Sequence, residues 1–226
     1  RAAAITALER VGLGERIRSD VGEQLPGLIP DSSYYNRAYP SGWTVGYSMN
    51  LGVGQGDMGV TALQLARYAG AMASDGRLHT PHLVRSLQHP ETDSTVYPQL
   101  PPPQSIPVDT TYFSVVNRSM QDLMEVGGGA YFRIPGVTSA GKTGTAQASG
   151  DREDHSLFVM FAPVEDPQIA IAVIVENGGF GGTQAGPIAS MMAEQYLTGA
   201  ISESPGRRWL LNKIVNELES QPLTPQ

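Results

Sequence analysis

Lys142-Thr143-Gly144-Thr145-Ala146-Gln147 places a cation, two hydroxyls and a glycine in one extended stretch, and the reading of this hexapeptide decides the rest. In a strand, alternate side chains share a face, so Lys142 and Gly144 point one way while Thr143 and Thr145 point the other. Gly144 has no side chain, which lets a ligand backbone lie close along the strand. The Thr145 N–H can then meet an oxyanion, the kind of donor that often supplies the largest electrostatic contribution to acyl transfer. The hydroxyls of Thr143 and Thr145 suit a carboxylate, and Lys142 adds positive charge. A bare Lys-Thr-Gly reads as an ordinary amphipathic strand with a solvated lysine; the hexapeptide with its matching hairpin does not.

Working outward, residues 137–147, 155–161 and 168–175 are strand candidates. The last two are joined by Ala162-Pro163-Val164-Glu165-Asp166-Pro167 as a hairpin connection, and short connections imply antiparallel neighbours. Before them, Asp109 caps a helix whose apolar positions Phe113, Val116, Met120 and Leu123 run to the stop at Gly127-Gly128-Gly129. After them, Pro187 opens a helix carrying Ile188, Met192 and Tyr196 up to Gly199, and Leu210, Ile214 and Leu218 mark another. Towards the start, residues 2–11 read as helix ending near Gly12 and Gly14. Residues 15–60, rich in Gly, Pro, Tyr and Ser, read as surface loop and not core. Thr61 and Gln64 fit a capping box. Behind it, Leu63, Ala66, Ala69 or Gly70, and Ala73 keep helical spacing until Asp75-Gly76. Small residues on that face predict a central helix packed closely on a neighbour. Residues 78–88 are expected to supply short strands, and residues 97–107, with five prolines, an irregular connection. The fold class is α+β, an antiparallel sheet flanked by helices.

At 226 residues, 40% hydrophobic and 16% charged, the chain is long enough for one sizeable core, and one compact unit is the expectation. Twenty-two acidic against 15 basic residues give a net charge of -7, which argues against nucleic acid or an anionic membrane surface as partner. Cysteine is absent, so there is neither a disulfide framework nor a Cys-based metal site. No apolar run reaches transmembrane length and no signal peptide is read, so this chain by itself is expected to be soluble. Arg1 leads directly into Ala2-Ala3-Ala4-Ile5 without Met, as expected of a piece of a longer protein.

Other motifs compete for the chemistry. Ser139-Ala140-Gly141-Lys142 satisfies S-x-x-K, but that spacing joins the two side chains on a helix. In a strand, residues three apart face opposite sides, so Ser139 is not expected to be a nucleophile. Ser48-Met49-Asn50 spells S-x-N directly before a glycine-rich loop, a position that makes coincidence the better account. Gly54-Gln55-Gly56-Asp57-Met58-Gly59 is a literal G-x-G-x-x-G opening a helix, with Asp75 at a distance suited to a ribose. It supports an alternative, a nucleotide-binding module, although no continuous apolar strand precedes it and no parallel strand follows. A purely structural module is the remaining alternative outside enzymes. Of the four histidines, His79 and His82 bracket Thr80-Pro81, and His155 reads as a structural hydrogen bonder. No metal or cofactor is implied. Residues 178–182 read as a glycine-rich connection.

Several stretches together resemble the class B penicillin-binding proteins, of the penicillin-binding protein 2 elongation transpeptidase type. They are Asn50-Leu51-Gly52-Val53-Gly54-Gln55-Gly56 with Val60-Thr61-Ala62-Leu63-Gln64-Leu65-Ala66, then residues 141–147, 156–163 and 171–178, in that family's order and spacing. The hexapeptide resembles the third active-site motif of penicillin-recognising serine acyltransferases, whose other signatures are S-x-x-K and S-x-N. The resemblance covers roughly residues 1–199, the C-terminal part of a transpeptidase domain of the serine β-lactamase-like fold; residues 200–226 are set apart as a helical C-terminal tail. It implies a peptidoglycan cross-linking D,D-transpeptidase that acts on D-Ala-D-Ala stem peptides through a serine acyl-enzyme and is inhibited by β-lactams. By motif position it implies catalytic Lys142 and Thr145, substrate-binding Thr143, Gly144 and Thr145, and the Thr145 N–H as half of an oxyanion hole. The serine nucleophile, its lysine and the S-x-N motif would lie upstream of Arg1, in a missing part of the same domain, and the isolated piece would be inactive. The resemblance further implies a membrane anchor, a periplasmic location and the cell-wall elongation machinery as partner. A serine β-lactamase or β-lactam sensor is the alternative within the same fold.

Overall fold

The computed structural model describes residues 2–22, 24–148 and 150–220. Where chain length suggested one compact unit, contacts divide the chain into two, Arg1–Val108 and Asp109–Gln226.

The first unit contains helices α1 (Ala2–Arg10), α2 (Ser32–Ala38), α3 (Val45–Gly52) and α4 (Ala62–Ala73). It also holds four two-residue strands, β1 (Arg77–Leu78), β2 (Leu87–Gln88), β3 (Thr95–Val96) and β4 (Gln104–Ser105). β1 pairs antiparallel with β4, and β2 with β3. The capping box of α4 is present in both directions: Thr61 Oγ1 accepts from the Gln64 N–H, and Gln64 Oε1 accepts from the Thr61 N–H. The Gln64 side chain, 1% exposed, also donates to the carbonyls of Glu15 and Pro26, both at 2.9 Å. One buried amide thus caps a helix and ties down the irregular chain before it.

Two expectations for this unit need correction. Residues 15–60 are not all surface loop, because they form α2 and α3 and bury Tyr35 at 1% exposure. Asp31 caps α2 through the Tyr34 N–H, and the rings of Tyr34, Tyr39, Trp43 and Tyr47 surround Tyr35 at centroid distances of 5.3 to 6.0 Å. Aromatic stacking supplies the burial that aliphatic periodicity supplies elsewhere. The proline-rich run 97–107 likewise contains β4, at residues 104 and 105 that carry no proline.

The second unit contains α5 (Thr110–Glu125), a short 3-10 turn (Ala130–Phe132), strands β5 (Ala140–Ala146), β6 (His155–Ala162) and β7 (Ile169–Val175), and helices α6 (Ala185–Thr198) and α7 (Pro205–Ser220). The strands form one antiparallel sheet in the order β5-β6-β7. Asp109 caps α5 through the Thr111 N–H, and Gly199 ends α6 in a left-handed conformation. Phe158, Met160 and Ile171 of the sheet form one core with Met124 of α5, Phe132, and Ala185, Ala189 and Ala193 of α6. The arrangement is the α+β class expected, with helices against an antiparallel sheet.

The stripe expected to face inward on α6 does not: Met192 is 51% and Tyr196 64% exposed, and only Ile188 packs against the core. The buried spine is Ala185, Ala189 and Ala193, which brings the helix axis close to its neighbours; a Cβ at Gly186 would come within 2.5 Å of the Phe132 ring. Helix α7, set apart in the sequence as a tail, contributes Leu210, Ile214 and Arg207 to the buried interior of this unit. Residues 221–226 of that expected tail lie outside the described residues.

Candidate active site

β5 carries the whole candidate site. Among the described strands it pairs only with β6, so it borders the sheet. The register sets Thr143 opposite Phe158 and Thr145 opposite Ser156, and Lys142 and Gly144 opposite Val159 and Leu157. Residues directly opposite in an antiparallel pair share a face. The threonines therefore share the face of the fully buried Phe158 and Ser156, while Lys142 and Gly144 share the half-buried face of Val159 and Leu157. Lys142 is exposed, and its Nζ donates to the Thr143 carbonyl at 2.8 Å. Gly141, one step before, is needed for packing: a Cβ there would lie 2.5 Å from the Phe158 ring.

The glycine-rich residues 178–182 are more than a connection. The Gly181 N–H donates to Thr145 Oγ1 at 3.3 Å. A Cβ on Gly181 would lie 2.1 Å from the Gly144 carbonyl oxygen and 2.6 Å from that of Leu157, so only glycine allows this approach to β5 and β6. The Phe180 carbonyl accepts from Ser156 Oγ at 3.2 Å and from Thr183 Oγ1 at 2.7 Å, and the Gly182 carbonyl accepts from the Tyr131 hydroxyl. Ser156 Oγ in turn accepts from the Ala185 N–H at the start of α6. Paired glycines were a visible signal of close approach; the partners Tyr131 and Ser156 carried none.

The competing motifs fall elsewhere. Ser139 is buried just before β5 while Lys142 is exposed, so the two do not form a nucleophile pair. Ser48-Met49-Asn50 lies on α3 in the first unit. The G-x-G-x-x-G follows α3 and not a strand, and its Gly59 pairs with Leu28 through two backbone bonds, so a dinucleotide cradle is not formed. His155 Nδ1 accepts from the Asn177 N–H, the structural bond expected of it. Among the described residues no group of acidic and histidine side chains could hold a metal ion, and no helix is long and apolar enough to cross a membrane. A groove of about 640 Å³ is lined by residues 130, 131, 133–138, 204, 206 and 207 and by none of the β5 site residues.

β5 thus brings a lysine, two threonines and a glycine to the border of an antiparallel sheet backed by helices. The pattern of the penicillin binding protein transpeptidase domain matches residues 3–194, and the chain belongs to this family. It is similar to the peptidoglycan D,D-transpeptidase MrdA of Salmonella typhimurium strain SL1344, 30% identical over 203 residues that make up 81% of this chain and 32% of that protein. Its fold is similar to Pseudomonas aeruginosa PBP2 in complex with WCK 5153, with a TM-score of 0.71 at 31% identity, covering 88% of this chain and 44% of the other. It is also similar to PBP2 in the complex with MreC from Helicobacter pylori, with a TM-score of 0.69 at 26% identity, covering 86% and 35%. The chain thus spans about a third of the length of the curated relatives it matches.

Proposed function

We propose that this chain supplies the Lys-Thr-Gly strand of a serine D,D-transpeptidase that cross-links peptidoglycan. The reading rests on Lys142, Thr143, Gly144 and Thr145 on the border strand β5, in a chain of the transpeptidase family. In this mechanism a serine, supplied by a segment outside these 226 residues, attacks the carbonyl of the penultimate D-alanine. The oxyanion that forms is held by the Thr145 N–H. The bond from Lys142 Nζ to the Thr143 carbonyl fits a carbonyl turned to the open edge, and by the period of two the Thr145 N–H faces the same edge. Thr143 and Thr145 hold the terminal carboxylate, and Lys142 makes the cleft positive. The terminal D-alanine leaves with a proton, and the acyl group passes to a neighbouring amine. A β-lactam enters the same way and remains as a stable acyl-enzyme. Periplasmic placement on a membrane anchor, and assembly with elongation proteins of the kind that the Helicobacter pylori PBP2–MreC complex exemplifies, complete the proposal.

Intact-mass analysis after incubation with a penicillin tests it, on protein that contains both an S-x-x-K segment and this chain. A stable adduct of one drug mass is expected. Its absence refutes the reading, and rapid hydrolytic release would make the protein a β-lactamase instead. In folded Lys142→Ala the acylation rate should fall by about tenfold or more, the worth of one charge-assisted hydrogen bond. An unchanged rate would remove Lys142 from the site.

A further inference from the structure

Thr145 is held from outside its strand by a continuous set of contacts within the second unit. The Gly181 N–H donates to Thr145 Oγ1, and the next residue's carbonyl, Gly182, accepts from the Tyr131 hydroxyl. Tyr131 stands on the 3-10 turn, its ring edge-to-face with Phe132 at 4.9 Å. That turn is itself fixed, because the Phe132 carbonyl accepts from Arg207 Nη1 at 3.0 Å and from the Ser190 hydroxyl. Arg207 belongs to α7, beyond the residues 3–194 that match the family, and is clamped by a buried ion pair of 2.6 Å to Glu194.

We infer that Tyr131 is a positioning residue of the transpeptidase site, acting through residues 181 and 182 on the hydroxyl of Thr145. A hydroxyl has one proton to give and two lone pairs to offer. The Gly181 N–H occupies one lone pair of Thr145 Oγ1 and so restricts where its proton and its other lone pair can point, which sets how the hydroxyl meets a ligand carboxylate. The Tyr131 hydroxyl keeps that N–H in place by fixing the carbonyl of the adjoining residue, and α7 keeps Tyr131 in place. The inference rests on the transpeptidase reading above, because it assigns the Thr145 hydroxyl to the ligand's carboxylate.

The test uses the protein with its serine-bearing segment and two probes, a penicillin and the same penicillin with its carboxylate esterified. Tyr131→Phe keeps the ring and removes only the hydroxyl. Its acylation by the free acid should fall about fivefold, the equivalent of one ordinary hydrogen bond, while acylation by the ester changes little. In a Thr145→Val background, Tyr131→Phe should add no further loss with the free acid, since both changes remove the same interaction. Equal losses with both probes, additive losses in the double variant, or no loss at all would overturn the inference. A protein that neither probe acylates overturns the transpeptidase reading and this inference with it. One that acylates normally in Tyr131→Phe overturns this inference alone.

Discussion

Compare the β5-β6-β7 sheet and its helices with residues 12–60 of the first unit. The sheet is held by volume: Phe158, Met160 and Phe132 are each no more than 1% exposed and interlock with the small residues of α6. Residues 12–60 have one small aromatic cluster around Tyr35 and are otherwise tied by polar pins at a few points. Gln64 fastens the carbonyls of Glu15 and Pro26, Asp20 accepts from the N–H groups of Leu83 and Val84, and Tyr39 donates to Asp57. Burial is non-directional and graded with area, whereas a pin depends on one or two bonds in a set geometry. The difference teaches where precision comes from. The sheet fixes where β5 lies, but the orientation of Thr145 Oγ1 depends on pins of the same kind, from Gly181 and through it Tyr131.

Phe158→Ala should show the largest effect. It empties the space against the Phe132 ring, 5.4 Å away edge-to-face, and beneath Gly141. A loss of roughly 3–5 kcal/mol is expected in denaturant unfolding of the second unit. Below it comes Gln64→Leu, which keeps the volume of the side chain but leaves the Glu15 and Pro26 carbonyls without their donor. About 1–3 kcal/mol is expected, with faster amide exchange concentrated before α4. If Gln64→Leu proves as costly as Phe158→Ala, the contrast between volume and pins is broken. A near-zero cost would show that water replaces the amide and the pin holds nothing.

The same contrast explains what could be read from the sequence. β6 and β7 were legible because each is a largely apolar run of eight or seven residues bounded by turn residues, β5 because its lysine, threonines and glycines precede that hairpin, and the caps Asp109 and Thr61 announce their helices within three positions. The α6 stripe was misread because large apolar residues outrank alanine in a periodicity argument, and here Ala185, Ala189 and Ala193 form the buried spine. The aromatic cluster around Tyr35 was illegible for a different reason: Tyr35, Tyr39, Trp43 and Tyr47 recur every four residues, but Pro40, Ser41 and Gly42 interrupt the spacing, and it is shared between α2, a connection and α3. Within the candidate site, the roles proposed for Lys142 to Thr145 come from residue types and motif position. The pin from Tyr131 to Gly182 spans 51 positions, and no local pattern encodes it.

The smallest effect, and the sharpest probe of a single pin, belongs to Tyr39. Its hydroxyl lies 2.9 and 3.1 Å from the two Asp57 oxygens. That hydrogen bond, with desolvation and the Asp57 charge adding to it, pushes the phenol from 10.0 up to about 12. The shift favours the protonated phenol in the folded state. Its contribution to stability is therefore complete below pH 10, and it is lost as pH rises from 10 towards 12. Tyr68, raised by burial, also ionises late, so the late part of a phenolate absorbance titration has two contributors. The difference between the unsubstituted protein and Asp57→Asn separates them: one tyrosine's worth of absorbance should move from near 12 back towards 10 while the Tyr68 portion stays. Superimposable titration curves would mean that Asp57 does not pin Tyr39 in solution. The polar account of residues 12–60 would then lose its Tyr39 pin.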